Sequence, residues 1–459
     1  MSTPTLVSQQ SGATPTEPDR LDYIDQATFL SYRANGRVQV GMVLWFFDGP
    51  VDLDGLRRFN ENFGKGLAGR YIERSPLPFG RHRWVSAPAH PRPVDVAETA
   101  RPRSELSDWL EQRAQIPIDP ERGPGWTLGV QPFTDGSTAV AIAFSHCLID
   151  GSGAVVAFMD AILGTERNLG YGQPRSRTRW QAIRSDMYQT FRDLPAVRRT
   201  VKVAAKLARG RGGEMAAAPS PAVSTAGDEF VHVPFTSAII DIEHFDARAA
   251  ELGGNNYSLV SAFAIRLGVR MGRQRARDGA VSLMVSLNDR TSPDDTRANA
   301  LTFTTFTVDP ATATTDLTEL RGAIRTALRG AREQPDETFQ LLPLTPFIPR
   351  RAVRRAAAVV LGELPVTCSN VGDVPELAGR IDGVHQADYM ICWGVEQNVT
   401  KRDIEQPGGL LVVSSMRHNG KLTIGIVGYQ VGAENTKAVV REHVQQTLDE
   451  LGVMPLEVY

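Results

Sequence analysis

The residues best placed to move a proton in this chain are His146 and Asp150, in the string His146-Cys-Leu-Ile-Asp-Gly151. An imidazole exchanges a proton readily near neutral pH. His146 follows a short apolar run, Ala139 to Phe144, that reads as a buried strand, so the backbone would hold the ring in place. Asp150 lies four residues on. It has two available roles: to orient the imidazole directly, or to brace the turn by pairing with a cation elsewhere. Gly151 and Gly153 permit a tight reversal. The apolar run Ala154 to Leu163 after them has the length and spacing of a helix. A lone histidine in a turn is most often only a satisfied polar group. The whole strand–His–Asp–Gly–helix string favours chemistry over that reading.

The 459 residues suggest two or three domains. The apolar fraction of 42% and charged fraction of 22% are those of an ordinary globular protein. A formal net charge of -2 argues against general nucleic-acid binding, which wants a broadly basic surface. The cysteines Cys147, Cys368 and Cys392 form no C-x-x-C pair, so neither a zinc site nor a redox pair is expected. Their sparseness suits a reducing cytoplasm. Residues 1–18, rich in Ser, Thr, Pro and Gln, read as a disordered tail and not as a signal peptide. No run approaches the ~20 apolar residues of a membrane span.

The elements that must position His146 follow in order. Asp22 to Leu30 reads as a short helix entered from an acidic cap. Val38 to Phe47 is a strand, Asp54 to Leu67 a helix, Glu105 to Gln115 a helix and Trp126 to Phe133 a strand. Thr134 to Ser137 is the hairpin turn into the strand before His146. A long helix runs from about Thr178 to Ala208, with Arg198, Arg199, Lys202, Lys206 and Arg209 on a basic face. A solvated face is the plain reading; contact with an anionic membrane surface or a phosphate-bearing ligand is the sharper one. Gly210 to Gly227, dense in Gly, Ala, Pro and Ser, is the clearest linker. The expected division is a tail at 1–18, an N-terminal subdomain at 19–208, a linker at 209–228 and a C-terminal subdomain at 229–459.

The second half again alternates strands and helices. Ala280 to Leu287 and Asn299 to Val308 are strands, with Asn288-Asp-Arg290 between them. Arg350 to Leu361 is a helix with Arg350, Arg351, Arg354 and Arg355 at its start, where cations oppose the helix dipole. Val366 to Gly372 is a strand ending in a glycine turn. Asn419-Gly420 joins a hairpin, and Asn435 to Leu451 closes the chain as an amphipathic helix. The pattern is α/β (α+β), in two layers of similar size.

His146-Cys-Leu-Ile-Asp-Gly151 resembles the H-x-x-x-D-G motif of the chloramphenicol acetyltransferase-like superfamily. That superfamily includes wax ester synthase/diacylglycerol acyltransferases, polyketide-associated acyltransferases and nonribosomal peptide condensation domains. Many members carry two adjacent histidines; Ser145 stands at the first position here, and His146 matches the catalytic second. Leu21 to Leu30, Thr367 to Gly372, and Asn288-Asp-Arg290 followed by Asn299 are similar to segments of the wax ester synthase branch. Cys392-Trp-Gly394 echoes only part of the D-F-G-W-G motif of other branches.

The resemblance implies two similar subdomains with a tunnel between them, and a monomer. It implies no bound cofactor or metal; a coenzyme A thioester enters as co-substrate and an alcohol as acceptor. His146 is then the general base. Asp150 becomes structural, paired with Arg290 from the other half, with Gly151 supporting the turn. Ser369 and Asn370 are the candidates to meet the oxyanion or the substrate. Cys147 is set aside as a nucleophile, since the family reaction needs no acyl-enzyme. The expected function is acyl transfer from acyl-CoA to a hydroxyl, on a lipid or glycolipid alcohol. The expected place is the cytoplasm, at the membrane periphery for a lipid acceptor. The alternatives are a stand-alone condensation enzyme taking its acyl group from a carrier protein, and a non-catalytic member of the fold.

Overall fold

Two apolar runs, Val38–Phe47 and Thr138–Ser145, pair antiparallel in the middle of a five-stranded sheet. Nearly every residue of both is buried, because both faces of this sheet are covered. The computed structural model describes residues 19–87, 91–210, 227–333, 339–348 and 365–459. Among these, the first sheet runs Tyr389–Gln397, Val38–Phe47, Thr138–Ser145, Trp126–Pro132 and Asp95–Val96. The helices Leu53–Phe63 and Gly151–Leu163 cover one face through Leu56, Phe59, Phe63 and Phe158. The helix Leu106–Ala114 and part of the second sheet cover the other.

The second sheet has seven strands, in the order Glu457–Val458, Phe235–Asp241, Lys421–Tyr429, Leu410–His418, Val366–Asp373, Val281–Asn288 and Leu301–Val308. Its core is built against the helices Ile242–Glu251, Asn256–Arg270, Thr318–Glu333 and Lys437–Leu451. In the first half the helix Tyr23–Asn35 comes first; in each half a strand, Val38–Phe47 or Phe235–Asp241, then leads into a helix whose N-cap is an aspartate, Asp52 or Asp241. The hairpin at Asn419-Gly420 turns with both residues at positive φ, the backbone that Asn-Gly accommodates at low cost.

One strand departs from the expected division at 209–228. Tyr389–Gln397 comes from the second half yet pairs antiparallel with Val38–Phe47 and completes the first sheet. It is also the seam between the sheets: Trp393 Nε1 donates to Thr236 O at 2.9 Å, and the Trp393 ring meets Phe235 edge-on. A Cβ at Gly425 would lie 2.2 Å from Cys392 O, so the close approach of the two sheets requires glycine there. Cys392-Trp-Gly394 therefore sits mid-strand in this crossover. Residues 1–18, most of the 209–228 linker and the Arg350–Leu361 helix lie outside the described residues.

Candidate active site

The backbone delivers His146 as expected, one residue past the strand Thr138–Ser145. Its own N–H donates to Gln39 O at 2.9 Å, which ties the turn to the central strand. The carbonyl of Ser145 accepts from the amides of Leu148 and Ile149, closing the turn before the helix starts at Gly151. Ser145, in the place of a second histidine, is fully buried, and its Oγ accepts from Cys147 N at 3.3 Å. A hydroxyl there caps the turn from inside. Cys147 is buried, and burial pushes its thiol up to about 12, against the lowering effect of Ser145. It is a poor nucleophile at neutral pH.

Asp150 does not touch the imidazole. It caps the helix Gly151–Leu163, with Oδ1 accepting from Gly153 N at 2.6 Å. The same oxygen accepts from Arg290 Nη2 at 3.2 Å, and Oδ2 accepts from Ala300 N at 2.7 Å. The Asp150 side chain is 0% exposed and that of Arg290 3%, so this is a buried ion pair whose remaining lone pairs are hydrogen-bonded. Arg290 donates further to the carbonyls of Asp295 and Arg297. The two glycines of the motif differ. A Cβ at Gly153 would meet Arg290 Nη2 at 2.9 Å and Asp150 Oδ1 at 3.0 Å; at Gly151 it would meet nothing within 4 Å.

The residue that does touch the imidazole is Asn299. Its Oδ1 lies 2.8 Å from His146 Nδ1. Asn299 Nδ2 donates to His146 O at 3.3 Å and to Asp25 Oδ1 at 3.1 Å. A carboxylate and a carbonyl can only accept, so the amide cannot be flipped without opposing acceptor to acceptor. With Oδ1 facing the ring, Nδ1 carries the proton and Nε2 keeps its lone pair. Among the described residues Nε2 makes no hydrogen bond. In this tautomer Nε2, on the side of the ring away from Asn299, can accept a proton.

Asp25 is the foundation of this chain of bonds. It is 0% exposed, and its carboxylate also accepts from Ala298 N at 3.0 Å and Asn299 N at 2.8 Å. Burial pushes its carboxyl up to about 6, helped by the neighbouring Asp22; Arg70 and the two amides act the other way. Arg70, also buried, donates to Leu148 O at 2.9 Å and to Thr296 O, and stacks over Trp84. Two buried acids and two buried arginines thus clamp the 145–150 turn to the 290–300 segment.

Sequence reasoning placed Asn299 only as part of a similar segment and assigned Asp25 no role. A signal for Asp25 existed. Asp25 and Phe29 fall four residues apart on one side of the helix Tyr23–Asn35, with buried Leu21 just before its cap, so an acid stands between apolar residues. Ser369 and Asn370 sit on Val366–Asp373, two strands from Leu301–Val308. Ser369 Oγ is 3.0 Å from Ser286 Oγ, and Asn370 Oδ1 accepts from Gly372 N at 2.8 Å. Neither is hydrogen-bonded to His146. A surface groove of about 840 Å³ lies elsewhere, along Lys437–Leu451 and the final strand, at the opposite edge of the seven-stranded sheet. It has no part in the His146 site. Among the described residues no helix is long and apolar enough to cross a membrane, and no group of three metal-ligating side chains forms.

No protein-family model matches this sequence, and no curated protein matches it. Its structure does have relatives. The first condensation domain of the CDA synthetase is 13% identical, over 96% of this chain and 99% of that one, with a TM-score of 0.58. The wax ester synthase/diacylglycerol acyltransferase from Marinobacter aquaeolei VT8 is 15% identical, over 94% and 98%, with a TM-score of 0.55. Polyketide synthase associated protein 5 from Mycobacterium tuberculosis is 14% identical, over 94% and 97%, with a TM-score of 0.54. The chain has the fold these proteins share, over nearly its whole length. At these identities the likeness establishes the fold, and the chemistry must be argued from the site.

Proposed function

We propose that this protein is an acyltransferase that moves an acyl group from a coenzyme A thioester to a hydroxyl acceptor, a lipid or glycolipid alcohol. One observation carries the reading: His146 Nδ1 is held by Asn299 Oδ1 at 2.8 Å, which leaves Nε2 as the basic atom. The acceptor O–H gives its proton to Nε2 as its oxygen attacks the thioester carbonyl. The tetrahedral intermediate carries the negative charge on the former carbonyl oxygen. Its collapse breaks the C–S bond, and the proton on Nε2 passes to the departing sulfur. Base catalysis of this kind contributes about 100- to 10,000-fold. Asp150, Arg290 and Gly153 fix the turn and take no part in proton transfer. Ser369 and Asn370 remain the proposed contacts for substrate or oxyanion.

The experiment is incubation with mixed acyl-CoAs and alcohols, following free thiol and the intact mass of products. His146→Ala should abolish thiol release while its melting temperature stays near wild type. Full activity in that variant would refute the mechanism. The likeness to a condensation domain over nearly all of both chains supports a second reading, an ester- or amide-forming enzyme fed by a carrier protein. Thiol release from a carrier-bound acyl group alone, with none from acyl-CoA, would select it.

A further inference from the structure

Over residues 179–202 the helix Arg179–Gly210 departs from the usual apolar-in, polar-out distribution. Its inward face is rich in polar groups: Asp186, Gln189 and Thr200 are buried there, beside Ala182. Asp186 Oδ1 pairs with Arg20 Nη1 at 2.8 Å, and Asp193 Oδ2 with Arg81 Nη1 at 3.4 Å. Its outward face carries large apolar side chains among cations. Trp180 is 80% exposed, Phe191 63%, Tyr188 60% and Met187 36%. The positions 180, 184, 187, 191, 195, 198 and 202 follow the three- and four-residue steps of a single helical stripe. A helix that meets only its own protein and water shows the reverse distribution.

The charge on this stripe has one sign. Arg184, Arg198, Arg199 and Lys202 are exposed on the outward side. Among the described residues 179–202, both acids, Asp186 and Asp193, are turned inward in ion pairs. From Trp180 to Lys202 the stripe is about 33 Å long at 1.5 Å per residue. It is the solvent-facing side of one helix, with side chains standing out from it. Indole and phenol rings favour the boundary between lipid headgroups and acyl chains, and Lys and Arg favour an anionic headgroup layer. A protruding stripe of rings flanked by cations suits a flat, deformable anionic surface.

We infer that the outward face of this helix seats the protein on an anionic lipid bilayer, with Trp180, Met187, Tyr188 and Phe191 entering the interface and Arg184, Arg198, Arg199 and Lys202 on the headgroups. The inference stands apart from the acyl-transfer reading, since its test has no catalytic readout. The sequence helps the measurement. Of six tryptophans, Trp45, Trp84, Trp109, Trp126 and Trp393 are buried, so a solvent-dependent emission change reports Trp180.

The full chain is mixed with vesicles of phosphatidylcholine alone or with one-third phosphatidylglycerol, at low and high salt. On the anionic vesicles the protein should co-sediment, tryptophan emission should shift to the blue, and brominated lipid should quench it. High salt should weaken binding. Arg198→Gln, Arg199→Gln and Lys202→Gln together should weaken it about 100-fold, at about 5-fold per charge. Trp180→Phe should keep sedimentation and lose the blue shift. Phe191→Ser with Tyr188→Ser should lose sedimentation with an unchanged melting temperature. Failure of the wild type to bind anionic vesicles at low salt overturns the inference. So does equal binding by the Phe191→Ser, Tyr188→Ser variant, or binding that inorganic phosphate at millimolar concentration abolishes. Capture of an acidic carrier protein by the same residues, with no vesicle binding, would assign the face to a protein partner and overturn it as well.

Discussion

Replacing Asn299 by alanine tests the site at its least obvious joint. The substitution removes the acceptor of the 2.8 Å bond from His146 Nδ1 and the donor to His146 O and to Asp25 Oδ1, and leaves the imidazole itself intact. A hydrogen bond of this kind is worth about 0.5–1.5 kcal/mol net. Freeing the imidazole to turn gives up about 1 kcal/mol more of pre-organisation. The sum, about 1.5–2.5 kcal/mol, corresponds to a loss of roughly 10- to 70-fold in rate. It should fall on kcat and leave KM nearly unchanged, because the bond orients the base and does not hold the substrate. The assay is thiol release in single variants and in the His146→Ala, Asn299→Ala pair. Asn299 touches the proton transfer only through His146, so the double variant should be no slower than His146→Ala. A further drop of the same size in the double variant would refute the reasoning, as would full activity in Asn299→Ala. Nitrogen NMR of the imidazole gives a readout without substrate. Wild type should carry the neutral-ring proton on Nδ1, and the variant should show a mixture of tautomers.

Other perturbations separate the supports. Asp25 has a folded-state pKa of about 6, above its usual value near 4, so the folded protein holds that proton more tightly. Its stabilising contribution is therefore fully present below pH 4 and is lost as pH rises through 6, by up to about 3 kcal/mol. Asp25→Asn should melt with a flatter dependence over pH 4 to 7 than wild type; parallel curves would contradict this. Asp150→Asn leaves Arg290 buried without its charge partner, and should cost about 3 kcal/mol of stability by denaturant titration as well as lowering rate. An unchanged midpoint would remove the bracing role. Gly153→Ala should cost about 1–3 kcal/mol from its clash with Arg290, while Gly151→Ala should be neutral or slightly stabilising. Equal melting of the two variants would count against the packing described here.

Local order was legible from the chain alone because it depends on near neighbours. The strand before His146, the turn, the helix after Asp150 and the Asn419-Gly420 hairpin all follow from residues within one element. The bonds that fix the His146 ring reach across 153 residues to Asn299, and from Asn299 back across 274 residues to Asp25. Periodicity tells a residue which face of its own element it occupies; it does not say which other element arrives there. The same reason hid the crossover of Tyr389–Gln397 into the first sheet, since an apolar strand reads alike in either. It hid the two faces of the helix Arg179–Gly210 too. Sequence showed its basic residues, but only packing decided that Asp186 and Asp193 turn inward and that Trp180 and Phe191 are left outside. The amino-acid order alone thus determined the motif, its flanking elements and the α/β class. Tertiary structure decided which atom of His146 is free, because that depends on partners brought together by sheet order and not by distance along the chain.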